Sequence, residues 1–426
     1  MIFSKYALIK RENHTLKLYH LIKKSALCIN FGLPLNKKTD EELIAMMTEE
    51  EINKLCSLGL IVKSEEEDLN DYTLSKKLYK YSEDISRFVV HLNYDCNLRC
   101  EYCYQNVIHN KCVMNEKNLF DTIKFIVNVV KDNISEMVDI CLIGGEPTLH
   151  SNLVLRFMKE INQKIHLNIH YSIVTNGVFS DFDAVKEMVK LGLKEFIITV
   201  DGPKYIHDSL RFFPQKVGSY DIILSNLKKM SLWFPEVLVS INCNLNTQNI
   251  NHIEDFLVDL KLNNIEYPVI YSFVIDTKEK KFKSTLKSTN TVWKDIHQLS
   301  NRYGYKFIPF YRDTFLTCSL FQKNNYTIGA DGYLYACIEA VGVLEYRLAH
   351  VSAYKSPLFD YYQAMVCKTN NHYSNCCNCS FLPVCDGGCL YKKRNKDFVC
   401  PKRDFENNDV EMAFTYLFSG DKNESN

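Results

Sequence analysis

The chain has 426 residues, which by the usual size of folded units is enough for two or three domains. Its 51 basic and 51 acidic side chains balance, so no global charge points to nucleic acid or anionic lipid as a partner. We find no secretory signal at the start, and no apolar run approaches the ~20 residues that span a bilayer. We therefore expect a cytoplasmic protein that binds neither nucleic acid nor membranes.

The 17 cysteines indicate metal sites or catalysis rather than a disulfide framework, because the cytosol keeps thiols reduced. Ten of them stand in motifs, which are taken below in chain order. We expect each of the other seven to be a small buried hydrophobic residue rather than a ligand. These seven are Cys28, Cys56, Cys112, Cys141, Cys243, Cys367 and Cys377.

The first 80 residues predict a small α+β module followed by a linker. Polar and apolar residues alternate up to about residue 30, with Glu12-Asn13-His14 as the turn of a β-hairpin. Thr39 and Thr48 each open a Thr-x-x-Glu capping box, which predicts two helices, and a short apolar strand follows the second helix. The charged segment from Ser64 to Tyr81 is predicted to be the linker.

A dense cysteine motif lies between Arg87 and Gln105. The apolar run Phe88-Val89-Val90 predicts a buried strand, and the cysteines follow on a loop at its carboxyl end, where parallel α/β barrels keep their chemistry. Cys96, Cys100 and Cys103 have the spacing C-x3-C-x2-C. They supply three soft thiolates where a tetrahedral structural zinc site needs four ligands, so one metal position is left open.

From Arg87 to about Val274 predicted strands and helices alternate, which indicates parallel βα units. We predict six strands, near residues 87–93, 138–143, 167–174, 195–200, 237–243 and 269–274. The predicted helices include Asn115–Val130, Asp183–Leu191, Ile250–Leu260 and, after a lysine-rich connector, Trp293–Tyr303.

Polar residues follow three of these strands, as a barrel active site requires. They stand in Gly144-Gly145-Glu146-Pro147, in Thr175-Asn176-Gly177 and in Thr199-Val200-Asp201-Gly202-Pro203. Two adjacent glycines also make an ordinary strand-to-helix turn, so the first motif is weak by itself. Arg211 suits a carboxylate because its planar fork binds both oxygens; the alternative is a surface arginine in a loop.

The C-terminal region carries seven more motif cysteines. Their spacing is Cys318-x13-Gly332-x4-Cys337 and, after a gap, Cys376-x2-Cys379-x5-Cys385-x3-Cys389 and finally Cys400. The segment from Gly329 to Cys337 predicts a β-hairpin with Asp331-Gly332 at its turn. A helix from Val410 to Phe418 and a polar tail are predicted to close the chain. One or two structural zinc ribbons are an alternative use of these cysteines.

The loop from Cys96 to Tyr104 resembles the cluster-binding loop of the radical S-adenosylmethionine (SAM) enzymes, and the C-terminal cysteines resemble a SPASM domain. This resemblance implies an α/β fold with a partial (β/α)6 TIM-type barrel over residues 81–306 and a SPASM iron-sulfur domain with a C-terminal helix over residues 307–426. Residues 1–80 resemble the winged-helix elements that recognise ribosomally made peptides. A lid or packing extension without a ligand is the alternative for that module.

The resemblance also implies the cofactors and their ligands. Cys96, Cys100 and Cys103 would hold a [4Fe-4S] cluster whose open iron binds SAM. The residues expected to bind SAM itself are Tyr102, Gly144, Gly145, Glu146, Thr175, Asn176, Thr199 and Arg211. One auxiliary cluster would take Cys376, Cys379, Cys385 and Cys400.

A second auxiliary cluster would take Cys318, Cys337 and Cys389, which is one thiolate short of four. That cluster would have an open iron, would bind a substrate thiolate there, or would be completed by another residue. The residues considered for completing it are Asp313, Cys367 and Cys377.

By this resemblance the enzyme cleaves SAM with an electron from a donor such as ferredoxin or flavodoxin and abstracts hydrogen from a ribosomally made precursor peptide, forming a thioether or other crosslink. The alternative enzyme is an anaerobic sulfatase maturase, which forms formylglycine. In that family an Asp directly follows the cysteine equivalent to Cys337 and acts as base, whereas here Ile338 and then Glu339 follow. The alternative of another class is a non-catalytic metal-containing scaffold that binds a peptide.

Overall fold

The computed structural model of the chain describes residues 1–107, 112–274, 282–286, 292–305, 322–356, 374–385, 387–388, 400 and 414. Three cysteines of the sequence analysis, Cys318, Cys367 and Cys389, lie outside these residues. Asp313 also lies outside them, as does the predicted C-terminal helix apart from Phe414.

The first 62 residues form an α+β module. Its elements are β1 (Ile2–Phe3), β2 (Ala7–Glu12), β3 (Thr15–His20), β4 (Ala26–Asn30), α1 (Asp40–Ala45), α2 (Glu49–Ser57) and β5 (Ile61–Val62). The predicted hairpin is confirmed as β2–β3, and Asn13 in its turn takes a φ of 43°, which asparagine tolerates. β4 adds a third strand to this antiparallel sheet, and β1 pairs with β5. Both capping boxes, at Thr39 and Thr48, are confirmed.

The predicted linker from Ser64 to Tyr81 is wrong, because Glu65–Tyr81 form a helix, α3. The Ser64 side chain caps it by accepting from the Glu67 amide, and the acidic first turn complements the helix dipole. The sequence of α3 has no broad apolar stripe, and few of its residues are buried. Asp68 is one of them, and it accepts hydrogen bonds from the Ser4 hydroxyl at 2.7 Å and the Lys5 amide at 2.6 Å.

The six strands predicted for the barrel are confirmed, each within about two residues. They are β6 (Ile85–His91), β7 (Met137–Ile143), β8 (Asn168–Thr175), β9 (Leu193–Thr199), β10 (Leu238–Leu245) and β11 (Val269–Phe273). All six are parallel neighbours in the order β11-β10-β9-β8-β7-β6. The sheet is thus the partial TIM-type barrel that the sequence predicts.

Helices connect these strands, as βα units require. They are α4 (Glu116–Asp132), α5 (Ser151–Lys164), α6 (Phe182–Lys190), α7 (Lys204–Leu210), α8 (Tyr220–Trp233) and α9 (Ile253–Leu262), and α10 (Val292–Tyr303) follows β11. Alternate strand residues pack on these helices: Phe88 of β6 meets Phe125 of α4 edge to face, 6.4 Å between ring centroids. In the part of the chain that the structure describes, no helix is both long and apolar enough to cross a bilayer.

Three further strands extend the barrel sheet beyond β6. They are β12 (Asn325–Ile328), β13 (Tyr333–Tyr335) and β14 (Arg347–His350), and a short helix, α11 (Leu382–Cys385), follows. β12 is parallel to β6, and β12–β13 is the predicted hairpin, with Gly332 at a φ of +78° in its turn. The segment that leads to Cys337 is therefore part of the barrel sheet.

Candidate active site

A cavity lies at the carboxyl ends of the barrel strands. Strand-end residues such as Ile143, Val174 and Thr199 line it, together with the cysteine loop that follows β6. All but one of the residues that the sequence predicts for the SAM site line this cavity: Cys96, Cys100, Tyr102, Cys103, Gly144, Gly145, Thr175, Asn176, Thr199 and Arg211. The parallel strands thus bring together residues from motifs that are far apart in sequence.

Backbone contacts hold the cysteine loop against the glycine motif. The Gly145 amide donates to the Asn93 carbonyl at 3.0 Å, and the Glu146 amide donates to the Asp95 carbonyl at 2.9 Å. A Cβ atom on Gly145 would lie 1.9 Å from the Asp95 carbonyl oxygen, and one on Gly144 would lie 2.5 Å from that of Asn93. Both positions therefore require glycine, because the cysteine loop passes directly over them.

The three loop cysteines face the cavity from a mostly buried position. Burial raises the pKa of Cys96 and the pKa of Cys100 to about 11 each, so neither thiol ionises by itself near neutral pH. A bound metal deprotonates a coordinating thiol. Among the described residues, no three His, Cys, Asp or Glu side chains converge as ligands of one metal ion would. In a [4Fe-4S] cluster each thiolate binds a different iron, so the three cysteines of the loop need not converge on one point.

Glu146 is the predicted SAM-site residue that does not line the cavity. Its carboxylate is fully buried and accepts hydrogen bonds from the Thr148 hydroxyl at 2.6 Å, the Thr175 hydroxyl at 2.7 Å and the Asn176 amide at 2.7 Å. Glu146 thus fixes the end of β8, where the Asn176 side chain donates to the Cys96 sulfur at 3.6 Å. Direct contact between Glu146 and SAM stays a prediction.

Arg211 belongs to a buried polar network on the opposite wall. Its Nη1 donates to the Tyr102 hydroxyl at 2.9 Å, and that hydroxyl donates to the carboxylate of Asp201. Asn244 supports the same carboxylate through its backbone amide at 2.7 Å. Arg211 is only 7% exposed, so the alternative of a surface arginine is excluded. Its buried Nε has no hydrogen-bond partner, which leaves a donor available beside the cavity.

The residues of the site that were absent from the predicted set include Asp201, Asn242, Asn244 and Glu339. The two asparagines are two residues apart on β10 and face the cavity, so the period-two rule for strands could have found them. Asp201 lies within a motif that the sequence analysis quoted. Glu339 lies on the turn after β13, and only the pairing of β12 with β6 brings that turn to the cavity.

Cys376, Cys379 and Cys400 lie near enough to Cys385 for their charges to act on its pKa. Burial, and then the charges of Cys400, Cys379 and Cys376 in that order, raise the pKa of Cys385 to about 12. Burial raises the pKa of Tyr104, which lines the cavity, and the charges of Glu339, Cys103 and Cys337 raise it further, so Cys337 lies near this wall of the cavity. Its two predicted partners, Cys318 and Cys389, lie outside the described residues.

The expectation for the scattered cysteines holds only in part. Cys243 is buried on β10 as expected, and Cys56, Cys112 and Cys141 are partly buried. Cys28 and Cys377 are exposed, so the expectation is wrong for them. Cys28 lies on the outer strand of a three-stranded sheet and Cys377 in a short 3-10 turn, and both places leave the side chain in solvent.

Comparisons with known proteins agree with this geometry. Residues 90–260 match the Radical SAM superfamily. The chain is 27% identical over 352 residues to a cysteine-type anaerobic sulfatase-maturating enzyme of Clostridium novyi, which covers 74% of this chain and 89% of that protein.

Two solved structures share the fold. Native anSMEcpe with bound AdoMet and the Cp18Cys peptide has a TM-score of 0.61 at 19% identity, over 79% of this chain and 98% of that chain. Streptococcus suis SuiB bound to precursor peptide SuiA has a TM-score of 0.54 at 17% identity, over 92% of this chain and 96% of that chain.

Residues 90–260 are therefore a radical SAM domain. The chain is an enzyme that contains a radical SAM domain and is related to a sulfatase-maturating enzyme, and its cofactors are SAM and a [4Fe-4S] cluster. The alternative of a non-catalytic scaffold is thereby excluded.

Proposed function

We propose that this enzyme acts on a ribosomally made precursor peptide, from which it abstracts hydrogen to form a crosslink such as a thioether. The observation that carries this proposal is the place of the N-terminal module. Tyr6 of this module and Tyr72 of α3 pack with Leu382, beside Cys376 of the C-terminal cysteine group. A module that resembles peptide-recognition elements thus adjoins the cysteine-rich part of the enzyme. SuiB, which binds a precursor peptide, covers 92% of this chain, whereas anSMEcpe covers 79%.

The outer strand β4 supports peptide binding by strand addition. In the described part of the chain β4 pairs only with β3. The His20 amide donates to the Ser25 carbonyl, and the Phe31 amide donates to the His14 carbonyl. These two bonds determine which amides of β4 point towards β3. By the alternation of an antiparallel ladder, the amide of Cys28 then points away from β3. Such an open edge can pair with an extended peptide.

We also propose that Cys96, Cys100 and Cys103 hold the [4Fe-4S] cluster and that Arg211 binds the SAM carboxylate. The residues fit these groups: three thiols line one cavity, and a buried guanidinium with an unpaired Nε lies on the same cavity. When bound, the reduced cluster and SAM supply a 5′-deoxyadenosyl radical that removes hydrogen from an unreactive carbon. The other SAM contacts proposed are Tyr102, Gly144, Gly145, Glu146, Thr175, Asn176 and Thr199.

The remaining walls suit chemistry that must exclude water. Ile143 and Val174 line the cavity from the barrel strands, and Phe273 and Val274 line it from the end of β11. Apolar walls keep stray hydrogen donors and water away from the reacting carbon. Asp201 and Tyr102, described above, hold Arg211 in place before SAM arrives, so its orientation needs no reorganisation on binding.

For the C-terminal cysteines we propose an auxiliary iron-sulfur cluster on Cys376, Cys379, Cys385 and Cys400. Their mutual proximity supports this, since thiolates are the usual ligands of such clusters. A second auxiliary cluster on Cys318, Cys337 and Cys389 stays a prediction. An electron donor such as ferredoxin or flavodoxin is also proposed.

The proposal is tested with anaerobically reconstituted enzyme and a candidate precursor peptide encoded beside the gene. We expect release of 5′-deoxyadenosine and a peptide product with the mass and fragmentation of a crosslink. The combined variant Cys96→Ala, Cys100→Ala and Cys103→Ala should lose deoxyadenosine release. Release at the wild-type rate from this variant would contradict the assignment of the three ligands.

The peptide-binding step is tested at β4. Cys28→Pro removes the outward amide without breaking the β3–β4 ladder, which proline tolerates only at an edge. We expect it to weaken peptide binding while SAM cleavage without peptide stays at the wild-type rate. Cys28→Ala is the matched control, because it keeps the amide. Equal peptide affinity for the two variants would contradict strand addition at β4.

One observation favours a second candidate function, oxidation of a Cys or Ser side chain to formylglycine. Glu339 lines the cavity, and it is the one carboxylate among the described residues that line it. The sequence analysis ranked this activity lower because Ile338, and not an acid, directly follows Cys337. The 3-10 turn Ile338–Ala340 nevertheless presents Glu339 to the site, where it could accept the proton lost on oxidation.

The two functions are separated by offering the enzyme a cysteine-containing sulfatase peptide and the precursor peptide in parallel. An aldehyde on the sulfatase peptide, trapped by a hydrazide and lost in Glu339→Gln, would favour formylglycine formation. A crosslink on the precursor peptide with no trapped aldehyde would favour the first proposal.

A further inference from the structure

The turn that follows β8 lies against the cysteine loop. Asn176, its first residue, is only 5% exposed, and its Nδ2 donates to the Cys96 sulfur at 3.6 Å. The same nitrogen donates to the side-chain oxygen of Asn97 at 2.7 Å. The Nδ2 of Asn97 in turn donates to the Val178 carbonyl at 3.4 Å. Asn176 thus contacts a proposed cluster ligand directly.

The orientation of the Asn176 side chain is fixed by a third partner. The Val178 backbone amide donates to Asn176 Oδ1 at 2.8 Å, and a backbone N–H can only donate. Oδ1 is therefore the acceptor end of the side chain, and Nδ2 carries the two hydrogens. Both hydrogens are directed at acceptors of the cysteine loop, one at Asn97 and one at Cys96.

Buried groups hold this turn in place. The Asn176 backbone amide donates to the fully buried Glu146 carboxylate at 2.7 Å. Gly177 has a φ of +78°, and its amide donates to the Thr175 hydroxyl at 3.1 Å. Asn226 of α8 donates to the Gly177 carbonyl at 2.9 Å. The protein itself therefore positions the Asn176 side chain beside the sulfur.

A thiol and a metal-bound thiolate differ as acceptors of this hydrogen bond. A neutral thiol sulfur accepts weakly, whereas hydrogen bonds to ionised acceptors are about twice as strong as those to neutral ones. Iron binding deprotonates a coordinating thiol. The contact between Asn176 and Cys96 would therefore become stronger when the loop holds its cluster.

We propose that Asn176 donates a hydrogen bond to the Cys96 sulfur of the bound [4Fe-4S] cluster and thereby raises the reduction potential of that cluster. This inference rests on the proposed function, in which Cys96, Cys100 and Cys103 hold the cluster. Hydrogen bonds to the sulfurs of a cluster help to set its potential. A donor favours the reduced form, because that form carries one more negative charge. Asn176 is thus a positioning residue that acts on the cluster through Cys96.

The test uses the full-length enzyme with its clusters reconstituted anaerobically. The signal to follow by electron paramagnetic resonance is the one that changes when SAM is added. It should be absent from the combined variant Cys96→Ala, Cys100→Ala and Cys103→Ala. A redox titration of this signal gives the midpoint potential, and iron and sulfide analysis gives the loading.

Two variants remove the donor in different ways. Asn176→Leu has nearly the same shape and no polar group. Asn176→Asp keeps the acceptor for the Val178 amide but places a charged oxygen towards the Cys96 sulfur. We expect both to lower the midpoint at wild-type iron content, Asn176→Asp more than Asn176→Leu. Either variant decides the question where the other fails to load iron.

A second measurement detects the hydrogen bond itself. Asn176→Leu should remove one exchangeable proton coupling from the electron-nuclear double resonance spectrum of the reduced cluster. Exchange into deuterium oxide identifies that coupling in the wild type.

Asn226→Leu is the matched control. It also removes a buried asparagine that holds this turn, but the Asn226 side chain donates to the Gly177 carbonyl and not to a sulfur. We expect Asn226→Leu to keep the wild-type midpoint. A shift as large as that of Asn176→Leu would show that a loosened turn is the cause and would overturn the proposal.

Two further outcomes are distinguishable from each other. A wild-type midpoint and unchanged proton couplings in the Asn176 variants at full iron content would overturn the hydrogen bond and leave the proposed function intact. A SAM-dependent signal that persists in the combined cysteine variant would show that other residues hold the cluster. The proposed function would then lose its ligand assignment as well.

Discussion

Asp201→Asn tests whether the buried network beneath Arg211 prepares the SAM site. The Asp201 carboxylate is fully buried and accepts from the Tyr102 hydroxyl and from both nitrogens of Asn244. The Arg211 Nη1 lies 3.7 Å from the same carboxylate. An amide of the same size offers one acceptor oxygen and no charge, so it cannot serve all of these donors.

The size of the effect follows from the bonds that are weakened. A hydrogen bond to a charged group contributes about 1.5–3 kcal/mol, and each ~1.4 kcal/mol is tenfold in affinity. Asp201→Asn should therefore weaken SAM binding by roughly tenfold to a hundredfold. Asp201 reaches the cysteine loop through the Tyr102 hydroxyl and accepts no hydrogen bond from a cysteine, so the cluster should still assemble.

The assay is equilibrium binding of SAM to anaerobically reconstituted enzyme, with iron content measured on the same samples. Asp221→Asn is the control, because it removes the same charge from an exposed carboxylate that pairs with Lys204 on the barrel surface. We expect Asp221→Asn to bind SAM as the wild type does. Wild-type SAM affinity in Asp201→Asn at full iron content would refute the reasoning.

Three further predictions concern the same region. Arg211→Lys keeps the charge but loses the fork, so the SAM concentration for half-maximal deoxyadenosine release should rise by about tenfold; no rise would remove Arg211 from the site. Gly145→Ala forces the Asp95 carbonyl aside and should abolish cluster loading by iron analysis, whereas Gly32→Ala, in open space, should not. His91 is fully buried with unpaired ring nitrogens, and burial lowers its pKa to about 3. In the unfolded state the pKa of histidine is ~6.5, so between pH 6.5 and 3 the unfolded state binds a proton that the folded state does not. The free energy of unfolding therefore falls by up to about 1.4 kcal/mol per pH unit as pH drops through this range. His91→Leu should lose this dependence between pH 7 and 5 in denaturant titrations, and an identical pH dependence would contradict it.

The barrel could be predicted because its strands carry their own signal. Each is a short segment rich in apolar residues that ends at glycine or polar residues, and its buried residues largely alternate along the strand. The capping boxes at Thr39 and Thr48 could be predicted for the same reason, because each is a pattern of only four neighbouring residues. α3 could not be recognised in this way. Its stability depends on contacts such as Asp68 with Ser4, which pair residues far apart in the sequence.

The polar network of the site lay beyond sequence reasoning for a different reason. Asp201 and Asn244 come from the ends of two neighbouring strands, and Arg211 follows a helix between them. Sequence patterns place each near the same edge of the sheet but do not show which side chains meet. Their hydrogen bonds depend on the register of β9 with β10, where Thr199 lies opposite Asn242.

The two cysteine regions of the enzyme are joined by strand pairing rather than by a linker. Tyr326 of β12 stacks on Phe88 of β6 at 5.6 Å and meets Phe125 of α4 edge to face at 5.2 Å. These contacts fix β12, and the hairpin from it leads directly to Cys337 and then to Glu339, which lines the cavity. Because packed aromatic rings resist displacement, the distance from the cavity to Cys337 is set by the barrel sheet. Glu339, which lines the cavity, is positioned by the same contacts.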